Sequence, residues 1–140
     1  GLVHDVLFIL GIYSIFYSIM PFSLEIDQSF IAAILTVIGY SINDTVVVFD
    51  RIRENVGLYP KRALNELINM SVNSTLSRTF STSFSTALPL LAMFIFGGET
   101  IRGFVFAILL GVIVGTYSTI FIASPIAYDI QQKQAKKAQK

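Results

Sequence analysis

Between Arg102 and Asp129 the chain runs for 26 residues, Gly103 to Tyr128, without one charged side chain. Between Arg78 and Glu99 it runs for 20 more, Thr79 to Gly98. An uncharged apolar run of about 18 residues or longer reads as a membrane-spanning helix. Composition agrees. Hydrophobic residues make up 54% of the 140 residues and charged ones only 14%, against roughly 25% charged in soluble domains. The fold class expected is all-α, a polytopic bundle of four transmembrane helices. Spans are expected at about 2–20, 30–50, 74–96 and 102–127, all within a single domain covering residues 1–140.

Each span carries its own punctuation. In the first, His4 and Asp5 lie near the start, where headgroups and water would solvate them. Tyr13, Phe16, Tyr17 and Phe22 form an aromatic belt, and Pro21 ends the helix. In the second, Thr36, Gly39, Tyr40 and Asn43 share a face, and the spacing predicts that this face points into the protein. Asp44 borders it, about 10 Å deeper than Arg51 at 1.5 Å rise per residue. A connector at about 56–73, opened by Pro60, has the pattern of a short amphipathic surface helix. A helix that docks a partner would show the same pattern.

The third span is rich in hydroxyls, and Arg78, Thr82, Ser85, Thr86 and Pro89 share one face. Such side chains either line a hydrated cavity or glue helices together. Pro89 is expected to kink this helix. Gly97 and Gly98 make a turn. In the fourth span Gly103, Ala107, Gly111, Gly115, Thr119 and Ala123 recur every four residues, a ridge for close helix packing. A basic tail, 131–140, follows as a disordered end or a frayed helix. Eight of the ten Lys and Arg residues lie in the connector, its approach and the tail, so both ends of the chain are expected on the cytoplasmic side.

Several function classes are excluded or left without support. There is no Cys and a single His, so no thiol chemistry, metal cluster or Ser-His-Asp constellation is supported. No P-loop occurs. No cofactor is implied, and a net charge of +1 implies no nucleic-acid partner. The chain does not read as an enzyme. What remains is an intramembrane carboxylate, Asp44, and an intramembrane cation, Arg78. They would act as a static ion pair or as an ion relay, and intramembrane ionisable groups favour the relay. Arg78 close to Asp44 would favour the ionised acid, and withdrawal would favour the protonated one.

The segment GYSINDTVVVFDRIREN, Gly39 to Asn55, resembles the signature of the SecF family, the smaller half of the bacterial SecDF export complex. HDV near the start, RTFSTSFST in the third span and GFVFAILLGVIVGTYSTIF after the Gly-Gly turn resemble it too. The resemblance covers nearly the whole chain. It implies an RND-superfamily half, represented by its last four of six spans. The first two spans and the extracytoplasmic domain would lie outside this stretch. It further implies coupling of the proton motive force to late preprotein translocation across the bacterial inner membrane. The implied partners are SecD, separate or fused, the SecYEG channel, SecA, the preprotein and the lipid bilayer. The family's carboxylate falls on Asp44 and its arginine on Arg78. Asn43, Thr82 and Thr86 are supporting candidates from the helix-face reading. An RND-type efflux half and a non-coupling scaffold are the alternatives.

Overall fold

The computed structural model describes residues 1–138. Every regular element among them is helical. Helix α1 spans Leu2–Phe16, α2 Gln28–Leu58, α3 Leu64–Phe96 and α4 Glu99–Ser118. A π-helical turn, Thr119–Ala123, joins α4 to α5, Ser124–Ala138. Three continuous helices, Gln28–Leu58, Leu64–Phe96 and Glu99–Lys137, are long and apolar enough to cross a membrane. α1, at 15 residues, is shorter.

Two expectations about local structure change. The connector forms no helix of its own: residues 56–58 extend α2, and residues 64–73 are the opening turns of α3. Only Tyr59 to Ala63 breaks the helices, with Pro60 in the break, because its ring removes a backbone donor. The tail takes the second of its two expected forms, a helix, through Ala138, while residues 139–140 lie outside the described stretch. The segment expected as a fourth span is α4, the π turn and part of α5, rather than one regular helix. Pro125 accounts for the π turn: it has no N–H to give the carbonyl four residues back, and its ring crowds that carbonyl. One residue earlier, the Ser124 amide reaches the Thr119 carbonyl instead, and the Ser124 hydroxyl donates to the same oxygen at 3.0 Å.

α4 packs against α1, α2 and α3, and its small-residue ridge explains why it is central. A methyl at Gly111 would run into the Val37 side chain of α2. A methyl at Gly103 would come within 2.6 Å of the Ser23 carbonyl oxygen. Ala107 and Thr119 are buried on the same ridge. Hydrocarbon supplies no hydrophobic drive between membrane helices, so close backbone packing must supply the attraction.

The main core lies toward the α1–α2 loop, where Tyr13, Phe22, Phe30, Val37, Ala107 and Val112 are buried together. Phe22, Phe94 and Phe106 meet there edge-on or tilted, and the Tyr13 hydroxyl donates to the Gly103 carbonyl. A smaller cluster, Val48, Ile52 and Ile68, joins α2 to α3 near the connector. Between the two clusters lies a polar layer.

Candidate functional site

The buried stripe of α2 runs Phe30, Ala33, Val37, Ser41, Asp44, Val48, Ile52, Asn55, at helical spacing of three and four. It passes beside the stripe expected from the polar residues. Thr36, Gly39 and Asn43 are exposed on this chain and Tyr40 is half-buried, which corrects the inward orientation assigned to that face. Thr36 back-bonds to the Ala32 carbonyl at 2.9 Å. Asp44, by contrast, is only 9% exposed, because it continues the apolar stripe rather than the polar one.

Across from it, α3 presents Leu67, Ser71, Thr75 and Thr79 as buried residues every four positions. This ridge brings Thr79 to the carboxylate, where its hydroxyl donates to Asp44 Oδ1 at 3.1 Å. Asp44 Oδ2 is buried and receives no donor from the described residues. One layer away, the Tyr40 hydroxyl donates to Ser83 Oγ at 3.1 Å, and Ser83 pairs with the Thr116 hydroxyl of α4.

Arg78 precedes Thr79, so it stands next to this contact but on another face. It is exposed and makes no ion pair among the described residues. Asp44 is therefore held by a hydroxyl, not by the guanidinium. Thr82 and Thr86 share the Arg78 side of α3, and each back-bonds one turn down, to the Arg78 and Thr82 carbonyls, at 2.8 Å. The exposed surface of α3 thus has two characters. Phe80, Phe84, Leu88, Leu91 and Ile95 form an apolar face suited to lipid, while Arg78, Thr82 and Ser85 form a polar one. The Arg and Thr face, together with Asn43 of α2, is costly against hydrocarbon. A central Arg alone costs about 3 kcal/mol on insertion scales.

Sequence reasoning missed two residues. Thr79 belongs to the repeat Ser71, Thr75, Thr79, Ser83, but hydroxyls stand at so many other positions of this span that the repeat does not stand out. Asp5 is the second. It is not solvated at an interface but 1% exposed. Its Oδ2 accepts the Ser41 hydroxyl of α2 at 2.8 Å and the Ser118 hydroxyl of α4 at 2.9 Å. His4 Nδ1 stands 3.2 Å from Oδ1. No local pattern announces this, since both serines come from distant segments. Among the described residues no group of three His, Cys, Asp or Glu side chains could hold a metal.

The profile of the family "Protein export membrane protein SecD/SecF, C-terminal" matches residues 1–133. The chain is 52% identical over 137 residues to the protein translocase subunit SecF of Rhodothermus marinus, covering 98% of this chain and 44% of that protein. It is 50% identical over 126 residues to the SecF subunit of Cereibacter sphaeroides, covering 90% and 37%. A crystal structure of SecDF in a super-membrane-facing form superposes with a TM-score of 0.84 at 46% identity, covering 99% of this chain and 18% of that one. The chain thus spans less than half the length of the SecF relatives it matches. Matched along nearly all of its own length, it belongs to the SecD/SecF C-terminal family of protein export membrane proteins.

Proposed function

We propose that this chain is the membrane segment of a SecF-type subunit that couples the proton motive force to late preprotein translocation. It would work beside SecD, with the SecYEG channel and SecA, in the bacterial cytoplasmic membrane. Its work is ion transfer joined to helix movement, with no covalent chemistry. The observation that carries this reading is the state of Asp44: buried, with Oδ1 on Thr79 and Oδ2 without a donor among the described residues. A carboxylate solvated on one oxygen only is arranged to take a proton on the other. Arg78, one residue from Thr79 on the polar outer face, is placed to change its distance to Asp44 if α3 moves against α2. Each charge carried across the membrane is worth about 2.3 kcal/mol per 100 mV.

The polar face of Asn43, Arg78, Thr82 and Thr86 then needs a cover other than lipid, and SecD supplies it in this reading. α1 serves as a fourth span. Its helix reaches only about 22 Å, and the turn at 17–20 lengthens it toward the hydrocarbon thickness. The RND-type relation and a cytoplasmic location of both ends complete the proposal, the latter resting on Arg51, Arg53, Lys61, Arg62, Lys133, Lys136 and Lys137. Lys140, also basic, lies outside the described residues.

The test is proton-gradient-driven preprotein release from membrane vesicles carrying the full-length protein with Asp44→Asn. Stimulation by the gradient is expected to be lost while complex assembly stays normal. Full stimulation with normal assembly would reduce Asp44 to architecture and favour the scaffold reading. Normal assembly without any association with SecD or the Sec channel would favour an efflux half.

A further inference from the structure

A second buried carboxylate sits in the bundle with no part in the relay just described. Asp5 lies in the first turn of α1, yet α2 and α4 close over it so completely that it is 1% exposed. Burial of an unpaired carboxylate is expensive, and here two hydroxyls from two other helices offset it. Ser41 donates from α2 at 2.8 Å and Ser118 from α4 at 2.9 Å, both to Oδ2. Among the described residues Oδ1 meets His4 Nδ1, at 3.2 Å. The His4 side chain is 39% exposed, so one side of the imidazole meets the surroundings and the other meets the buried acid.

The Ser118 hydroxyl has two acceptors in reach and one proton to give. It lies 2.9 Å from Asp5 Oδ2 and 3.2 Å from the Gly115 carbonyl of its own helix. While Asp5 is ionised, the charged acceptor holds that proton, since hydrogen bonds to an ionised partner are the stronger ones. Once Asp5 is protonated, Ser118 is free to donate to Gly115, and its oxygen can accept from the acid. Ser118 is the last residue of α4 before the π turn. Its neighbour Thr119 bonds across to Thr45 of α2 at 3.0 Å, and Thr45 is next to Asp44. Ser41 lies three residues, about 4.5 Å, before Asp44 on the same buried stripe.

We propose that Asp5 is a second proton-binding carboxylate of this bundle, filled through His4 and read out by Ser118 at the seam between α2 and α4. The transfer balances. Imidazolium His4 gives its Nδ1 proton to Asp5 Oδ1 and is left neutral with its proton on Nε2. A half-turn of the carboxyl about Cβ–Cγ presents the new O–H to the serines. The imidazolium forms when water outside gives a proton to Nε2, and unloading runs the same two transfers in reverse, from Asp5 to Nδ1 and from Nε2 to water. His4 is the titratable group in contact with Asp5 from α1. From α2 the nearest is Asp44, a turn beyond Ser41. From α4 the described contact is a hydroxyl, as Arg102 and Glu99 lie about 24 and 28 Å along the helix from Ser118.

This inference goes beyond the transport reading and is tested without it. The full-length protein in lipid vesicles would be examined by infrared difference spectroscopy between acidic and alkaline pH, in an Asp44→Asn background. A carbonyl stretch of a buried protonated carboxyl is expected to remain, and to vanish when Asp5→Asn is added. Ser118→Ala is expected to keep the band and shift its frequency, because the acid loses a hydrogen-bond partner. His4→Gln is expected to keep the band but slow its appearance after a pH jump about tenfold or more. A spectrum unchanged by Asp5→Asn overturns the proposal. Where Asp5→Asn does not assemble, Ser118→Ala decides: a shifted band sustains the proposal and an unmoved one overturns it. Translocation that survives Asp44→Asn would sink the coupling reading yet leave this assay untouched, so the two failures are distinguishable.

Discussion

At the scale of single residues, the polar layer is governed by which donors burial leaves without water. Asn55 and Ser71 show the rule near the connector. Both are buried, and Asn55 Nδ2 donates to Ser71 Oγ at 2.7 Å while Ser71 donates to the Leu67 carbonyl at 2.6 Å. Ser71→Ala removes one partner and leaves a buried amide unpaired, a loss of about 1–3 kcal/mol. Reversible unfolding in lipid–detergent micelles should show that loss, and the double variant Asn55→Leu with Ser71→Ala should recover part of it. Asp44 was legible in the sequence because a carboxylate in an apolar run is conspicuous. Its contact with Thr79 was not, because nine hydroxyls between Ser74 and Thr86 look alike until a neighbouring helix selects one. Arg78 was expected beside Asp44 and instead faces outward, since a shift of one residue turns a side chain about 100° round a helix.

At the scale of elements, caps and ridges set where helices start and how closely they meet. Asp27 caps α2, accepting the Phe30 amide at 2.9 Å and the Ser29 hydroxyl at 2.7 Å. The Ser29 hydroxyl, then the Phe30 amide, hold its carboxyl below the usual carboxylate range. A depressed folded value means the cap is at full strength above the ordinary Asp value of about 3.9 and fades as pH falls through the lower folded one. Amide exchange in the first turn of α2 should accordingly quicken below about pH 4, and Asp27→Ala should erase that pH dependence. On the α4 ridge, Gly111→Ala forces a methyl onto Val37 and should cost about 1–3 kcal/mol. Adding Val37→Ala should restore most of the stability, a coupling that a double-mutant cycle would read. The four-residue ridge was plain in the sequence. The π turn was not foreseen, although Pro125 was in view, because a proline defect can be absorbed as a kink, a break or an extra residue per turn.

At the scale of the whole molecule, the bundle has two kinds of outside. Phe80, Phe84 and Leu88 suit lipid, and Asn43, Arg78 and Thr82 do not. If the second face lies against SecD across a hydrated seam, Thr82→Cys in the full-length complex should react with a water-soluble maleimide. Phe84→Cys, on the lipid side, should stay unreactive. Equal protection at both positions would argue for a dry interface and against a water path along Arg78.

Hydrophobic runs, the deep Asp44, the Arg78 face and the small-residue ridge of α4 were all determined by the sequence itself. Each is a local pattern with a local physical meaning: span length, cost of a charge in hydrocarbon, or room for a neighbour's backbone. Which face of α2 is buried was decided only in the tertiary structure, because the ridge of α4 meets Val37 and Ser41 rather than Thr36 and Asn43. The same holds for Asp5. Its burial depends on Ser41 and Ser118, 36 and 113 residues away along the chain. No pattern of short range can specify a site whose three members meet only when α1, α2 and α4 have packed.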